Sequence, residues 1–459
     1  MKMKRNLFWT FLLLLLITGR LAAQQKLWTL EDCIKHAIDN NYTIKQQSLQ
    51  TLYQKNMLDL AKLKLLPTLN GQASHNYSFN RSLDQTTYQY VNQNALNEQF
   101  YLGGSLNLFN GLQNYNSIKK NTYDLLATEQ DLQTTRDNIA LNVALGYLQI
   151  LLNKELVTAT DEQYQITLQQ IEKTRKLVDA GSSARGNLLQ IESQAAQEEV
   201  QLVTLKNQLE ISYLTLTQYL EIPTPAGFEI ETPALSLDTA VVVSGNVDEI
   251  YDVAKNNRSE VKSSELKLTS SQYDLRIAQG GRSPRLSMSH SFSTMYSNIR
   301  KKILSIDPVT GPVYGPYSFA DQISDNVNYG IGFSLSVPIL NGWQVNKNIA
   351  NSKIAIQSSQ IALEGTKKAL YKTIQQSYAD AVAALKKYTA SIKAVASSEE
   401  SFRYSEQKFN VGMVTPVDYN AAKTQLLKAK SDLAQAKYQY LFKIKVLDFY
   451  KGIPLSLPK

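Results

Sequence analysis

Leu106-Asn107-Leu108-Phe109-Asn110-Gly111-Leu112-Gln113 has a counterpart 231 residues further on, Val337-Pro338-Ile339-Leu340-Asn341-Gly342-Trp343-Gln344. In each stretch a strand-like apolar segment stops at Asn-Gly and a breaker-poor segment begins. The same offset pairs Gln113 with Gln344, Tyr147 with Tyr378, Gly181 with Gly412 and Ile222-Pro223 with Ile453-Pro454. Upstream the offset is 217, pairing Asn40 with Asn257, Ala61 with Ala278 and Pro67 with Pro284, while the doublet Asn40-Asn41 recurs one residue out of that register as Asn256-Asn257. The chain is therefore an internal duplication, with a 14-residue insertion in the second copy between Leu286 and Asn341.

Outward from Asn-Gly, each copy turns helical. Only Gly146 interrupts 112–180 and only Gly365 interrupts 343–411. At ~1.5 Å per residue such a helix reaches roughly 100 Å, wider than a compact domain. Ile118, Leu125, Leu132 and Ile139 recur every seven residues, as do Ile349, Ile356, Leu363 and Leu370. Beyond the glycines the same spacing links Leu188, Ala195, Leu202, Leu209 and Leu216, and Tyr419, Leu426, Leu433, Tyr440 and Leu447. A sustained seven-residue repeat makes neighbouring helices supercoil and interdigitate. Gly181 and Gly412 end the first long helices, in turns Ala180–Ser183 and Val411–Val414. Second helices are expected over 186–221 and 416–450, opened in copy two by Pro416.

Inward from Asn-Gly, the segments alternate. Strands are expected at 68–79, 100–110, 285–296 and 329–340, with connecting loops at 80–99 and 297–330. One face of the third carries Leu286, Met288, His290 and Phe292, and the other carries Ser287, Ser289, Ser291 and Ser293. In the fourth, Ile331, Phe333 and Leu335 oppose Ser334 and Ser336. These six serines are the lumen-facing candidates. Period two with one apolar and one wet face means a half-buried strand. About ten residues per strand suits a tilted crossing of a bilayer. Aromatics near the strand ends, among them Tyr77, Tyr90, Tyr296, Tyr329 and Trp343, suit membrane interfaces. A soluble sheet with its apolar face on a helix layer is the alternative for the strands taken alone. If they do cross lipid, four strands cannot close, and lipid tolerates no open edge. Three copies would supply twelve strands, enough for a wet lumen, whereas two would close a barrel only wide enough for side chains.

The ends and composition fit the same picture. Lys2, Lys4 and Arg5, an apolar run Leu7–Ile17 and Leu21-Ala22-Ala23 form a secretory leader pattern over 1–23. Without the leader's four cations the formal charge falls from +8 to +4, which gives no case for nucleic acid. The single Cys and three scattered His argue against a disulfide framework and a His-rich metal centre. No phosphate loop, nucleophile elbow or His-pair metal motif appears, so no catalytic residue, cofactor site or metal site is expected. The expected layout is a first repeat over 24–223, a linker over 224–246, a second repeat over 247–454 and a short end over 455–459.

The duplicated order of helix, strand pair and helix–Gly–helix resembles TolC-type outer-membrane efflux proteins, over nearly all of the mature chain. Pro67 and Pro284 before the strands, Asn110-Gly111 and Asn341-Gly342 after them, and the tips Val178-Asp179-Ala180-Gly181 and Phe409-Asn410-Val411-Gly412 carry the resemblance. It implies a mainly α protein with a membrane β-barrel portion: a trimeric, 12-stranded barrel continued by an α-helical coiled-coil tunnel through the periplasm. It also implies location in the outer membrane of a Gram-negative bacterium. The implied partners are two further copies of the chain, outer-membrane lipid, a periplasmic adaptor (a membrane fusion protein) and an inner-membrane pump. The implied activity is passive export of small molecules or polypeptides, and the cargo stays open among drugs, metal ions, peptides and proteins. Some members shut the tunnel with Asp, Arg and Tyr at the helix tips. Here Asp418 keeps one Asp position, Phe409 stands where a Tyr is common, Val414 where the Arg would be, and Ala421 and Asn187 at further Asp positions. The resemblance thus points to Gly181, Arg185, Asn187, Phe409, Gly412, Val414 and Asp418 as tip or gate candidates. An apolar seal with an Arg185–Asp418 pair is one expectation, and a solvated Arg185 the other. Two other functional classes compete: a periplasmic coiled-coil adaptor with no pore of its own, and an adhesin or receptor using the 297–330 loop.

Overall fold

The computed structural model describes residues 27–83, 88–233 and 245–456. The expected leader, residues 234–244 of the linker and the last three residues lie outside these. The elements, in order, are β1 (Leu27–Trp28), α1 (Leu30–Asn40), α2 (Tyr42–Leu63), β2 (Asn70–Leu83), β3 (Tyr90–Phe109), α3 (Gln113–Asp179) and α4 (Arg185–Tyr219). Then follow β4 (Glu229–Ile230), α5 (Val247–Asn257), α6 (Ser259–Gly280), β5 (Arg285–Ser297), β6 (Lys302–Asp307), β7 (Gly311–Gly315), α7 (Phe319–Asp325), β8 (Asn328–Ser336), α8 (Gln344–Asn410) and α9 (Pro416–Tyr450). The chain forms two compact units: Met1–Gln50 with Glu129–Ser263 and Glu364–Lys459, and Thr51–Thr128 with Ser264–Leu363.

The first unit is helical. Its main core joins Leu30, Cys33 and Ala37 of α1, Val143, Tyr147 and Leu151 of α3, Leu216 of α4 with Leu220 just past its end, and Leu441 of α9, all nearly fully buried. Several heptad residues are buried here, including Ile139, Ala195, Leu202, Leu370, Tyr419, Leu426 and Leu447. The short strands β1 and β4 pair in parallel, Trp28 opposite Ile230. The Tyr147 hydroxyl donates to the Glu231 carbonyl at 2.6 Å and reaches the Trp28 carbonyl at 3.2 Å. That clasp fixes both strands to the middle of α3 and satisfies a buried hydroxyl. At α1 the Thr29 side chain accepts from the Asp32 amide at 3.0 Å, and at α5 Asn246 and Glu249 form a reciprocal capping box.

The second unit holds an antiparallel sheet in the order β2-β3-β5-β8. Two expectations change here. Strand β3 starts at Tyr90 rather than at 100, and β2 runs to Leu83, so most of the expected 80–99 loop is strand. The reason is backbone pairing: Asn76 to Leu83 lie opposite Asn97 to Tyr90, although Asn94, Asn97, Glu98 and Gln99 give no alternating apolar signal. Strand β8 ends at Ser336 rather than at 340, because Pro338 has no amide to donate to a ladder. The expected 297–330 loop contains structure of its own, the hairpin β6–β7 and helix α7. Gln322 of α7 is fully buried, accepting from the Ser297 amide and donating to the Ser297 and Tyr317 carbonyls, each at 2.9 Å. At the helix side, Gly111 has φ +68° and sits against the Gly280 carbonyl, where a Cβ would collide with backbone.

Candidate functional site

Two regions carry the candidate residues. The first is the sheet. Residues directly opposite in an antiparallel ladder point to the same face. Ser287 lies opposite Asn107 and Ser334; Ser289 opposite Ser105 and Gly332; Ser291 opposite Gly103 and Gly330; and Ser293 opposite Tyr101 and Asn328. Ser336 lies opposite Arg285. The six serine candidates therefore share one face, which β2 extends with Asn70, Gln72, Ser74 and Asn76. The other face carries Phe100, Leu102, Leu106, Leu286, Met288, Phe292, Ile331, Phe333 and Leu335. It is bare along β8, where Ile331, Phe333 and Leu335 are 75%, 67% and 65% exposed, and covered by α7 at the loop end of β5, where Thr294 is buried. A contiguous apolar surface of that kind marks contact with lipid or another apolar partner. Glu98, on this face, is met across the ladder by His75, Nδ1 to Oε1 2.8 Å. Strands β2 and β8 are the open edges.

The second region is the pair of helix tips, in the helical unit. Gly181 (φ +72°) and Gly412 (φ +75°) take the left-handed conformation. The Gly181 amide donates to the Val178 carbonyl at 3.0 Å and the Ser182 amide to the Leu177 carbonyl at 2.8 Å. In copy two Gly412 donates to Phe409 at 3.0 Å and Met413 to Lys408 at 2.8 Å. These paired bonds close both helix ends in the same way. The outgoing helices differ. Thr415 accepts from the Asp418 amide, while the Asp418 carboxylate accepts from the Thr415 amide at 3.3 Å and its hydroxyl at 2.7 Å. The matching residue of copy one, Ala184, makes no side-chain cap.

Asn187, Phe409, Gly412, Val414 and Asp418 come together around a cleft of about 670 Å³. Phe409 stacks on Tyr419, with ring centroids 4.6 Å apart. Lys173 donates to the Asn410 side chain at 3.1 Å, joining the two tips. Gly181 and exposed Arg185 do not line the cleft. The suggested Arg185–Asp418 pair does not form among the described residues, because the Asp418 carboxylate is engaged by its own helix cap.

A buried ionic contact went unread in the sequence. Lys423 of α9 pairs with Glu198 of α4, Nζ to Oε1 3.3 Å, and their side chains are 3% and 6% exposed. Both also bond the Thr167 hydroxyl of α3, so three helices meet there. Burial holds the Lys423 ammonium below its ordinary range, partly offset by the Glu198 charge. Tyr419, four residues before Lys423, is pushed up to about 12, first by burial and then by Glu406 and Glu198. The available signal was spacing: Glu198 lies three residues after Ala195 of the heptad stripe, on its inward side.

The comparisons with known proteins agree with this geometry. The family model described as outer membrane efflux protein matches residues 33–220 and 250–448, one segment per repeat. Over 276 residues the chain is 22% identical to the cation efflux system protein CusC of Escherichia coli O157:H7, covering 58% of this chain and 55% of that one. The chain thus spans little more than half of that relative's length. A crystal structure of CusC superposes with a TM-score of 0.77 at 16% identity, covering 93% of this chain and 92% of that one. The outer membrane protein VceC of Vibrio cholerae superposes with a TM-score of 0.74 at 16% identity, covering 92% and 94%. These likenesses show the fold of helical tunnel plus barrel. With both repeats matched, the chain belongs to the outer membrane efflux protein family.

Proposed function

We propose that three copies of this chain close a twelve-stranded barrel in the outer membrane and form a passive exit duct. The observation that carries this reading is the two-faced sheet with two open edges: hydroxyl, amide and glycine on one side, bare Leu, Ile and Phe on the other. Lipid rewards the apolar face but leaves no partner for the unpaired backbone of β2 and β8. Each β8 would pair with the β2 of the next copy, turning the serine face into a wet lumen wall. The exposed seam of Ile354 and Ile361 on α8, 62% and 74% exposed, would pack against a neighbouring copy in the helical part. The duct performs no chemistry of its own; a periplasmic adaptor and an inner-membrane pump would supply direction and energy. The tip cleft with its Phe409–Tyr419 stack is the proposed periplasmic mouth, held by apolar contacts and helix caps rather than by an ionic lock.

Cysteines placed at the two edges test the closure. The double variant Gln72→Cys, Ser334→Cys should give a covalent trimer on non-reducing gels after oxidation in detergent or membranes, and each single variant should give none. Only monomer from the double variant, or a ladder that grows without stopping at three, would reject this arrangement.

A further inference from the structure

We infer that the strand wall of the duct does not sort what passes it by sign of charge. This rests on the proposed duct and concerns what the duct lets through. A wet wall accepts charged side chains at little desolvation cost, and channels that select ions exploit this with rings of Asp, Glu, Arg or Lys. Here the ladder registers put Asn76, Asn97, Ser289, Gly332 and Ser334 on the wet face, and they leave it almost without charge. Arg285, opposite Ser336 at the helix-side end of β5, is the one charged side chain of that face among the described residues, in a chain that is 19% charged. Among the described residues, the other acidic and basic side chains of the sheet belong to the apolar face: Glu98 meets His75 there, and Arg81 holds a position on the same face. Hydroxyl and amide groups both donate and accept, so they replace water around a neutral polar solute without favouring either ion. The same face offers no carboxylate, imidazole or thiol among the described residues, which sets it apart from a wall built to grip metal cations.

The test is the reversal potential of the full-length protein in planar bilayers under a potassium chloride gradient. Wild type should show a cation-to-anion permeability ratio within about threefold of one, as expected where no field is focused in the passage. Ser289→Asp should move the ratio toward cations by about threefold or more, and Ser289→Lys should move it oppositely by a similar factor. Should either fail to assemble, Ser334→Asp and Ser334→Lys probe the neighbouring strand on the same face. A wild-type ratio beyond about threefold, or charged variants indistinguishable from wild type, overturns the inference. Absence of any conductance from wild-type protein would instead count against the duct itself.

Discussion

Lys423 and Glu198 show how a single residue can oppose its surroundings and still be retained. Two charges withdrawn from water cost several kcal/mol each, offset only if they meet and are hydrogen-bonded, as here through Thr167. Replacing one partner strands the other. Lys423→Met alone should lower unfolding free energy by about 3–5 kcal/mol, while Lys423→Met with Glu198→Leu should recover most of that loss. Urea unfolding of the three proteins in detergent checks this; equal loss in the single and double variants would contradict it. The pH dependence carries a second sign. With the folded Lys423 held below 10.5, the unfolded state binds more protons between the folded value and 10.5. Stability from this group therefore rises with pH across that window, and the double variant should lack the rise. Neither partner belongs to the heptad stripes read from the sequence, because a stripe is read from its apolar members.

At the scale of the element, the duplication gives a controlled comparison. The two tips share the glycine and its left-handed turn, but only α9 has a capping box. Thr415→Ala should cost about 1 kcal/mol, and Ala184→Ser should add about 0.5–1 kcal/mol by supplying the cap that copy one lacks. Amide hydrogen exchange in the first turns of α9 and α4 should report each change locally, faster in the one and slower in the other. No change at either tip would mean that packing alone holds these helix starts. The long helices were legible because Gly181 and Gly412 are their only sharp stops and the apolar period is sustained. Strand ends were less so. The half of β3 before Phe100 is rich in Asn, Gln and Glu, and its strand character comes from pairing with β2, which no local pattern contains. The sheet faces were legible from Ser287 to Ser293, because side chains alternate strictly along a strand. The Asp418 cap was hidden by the opposite circumstance. The residue matched a motif position, and its nearest partner, Thr415, lay three residues away in plain view.

For the whole molecule, one repeat pattern accounts for both units. A period of two before Asn-Gly makes a sheet with one wet and one bare face, and a period of seven after it makes helices with a seam. Both leave apolar surface that one chain does not cover, on β8 and on α8. The family membership and the barrel-plus-tunnel fold agree with what that surface requires. The number of copies is the central claim, since four strands with two open edges have no stable place in lipid. Native mass spectrometry of the protein released from detergent micelles measures it directly. The expected result is a species of three chains that needs detergent to stay in solution. A monodisperse single chain, soluble in buffer without detergent, would contradict it.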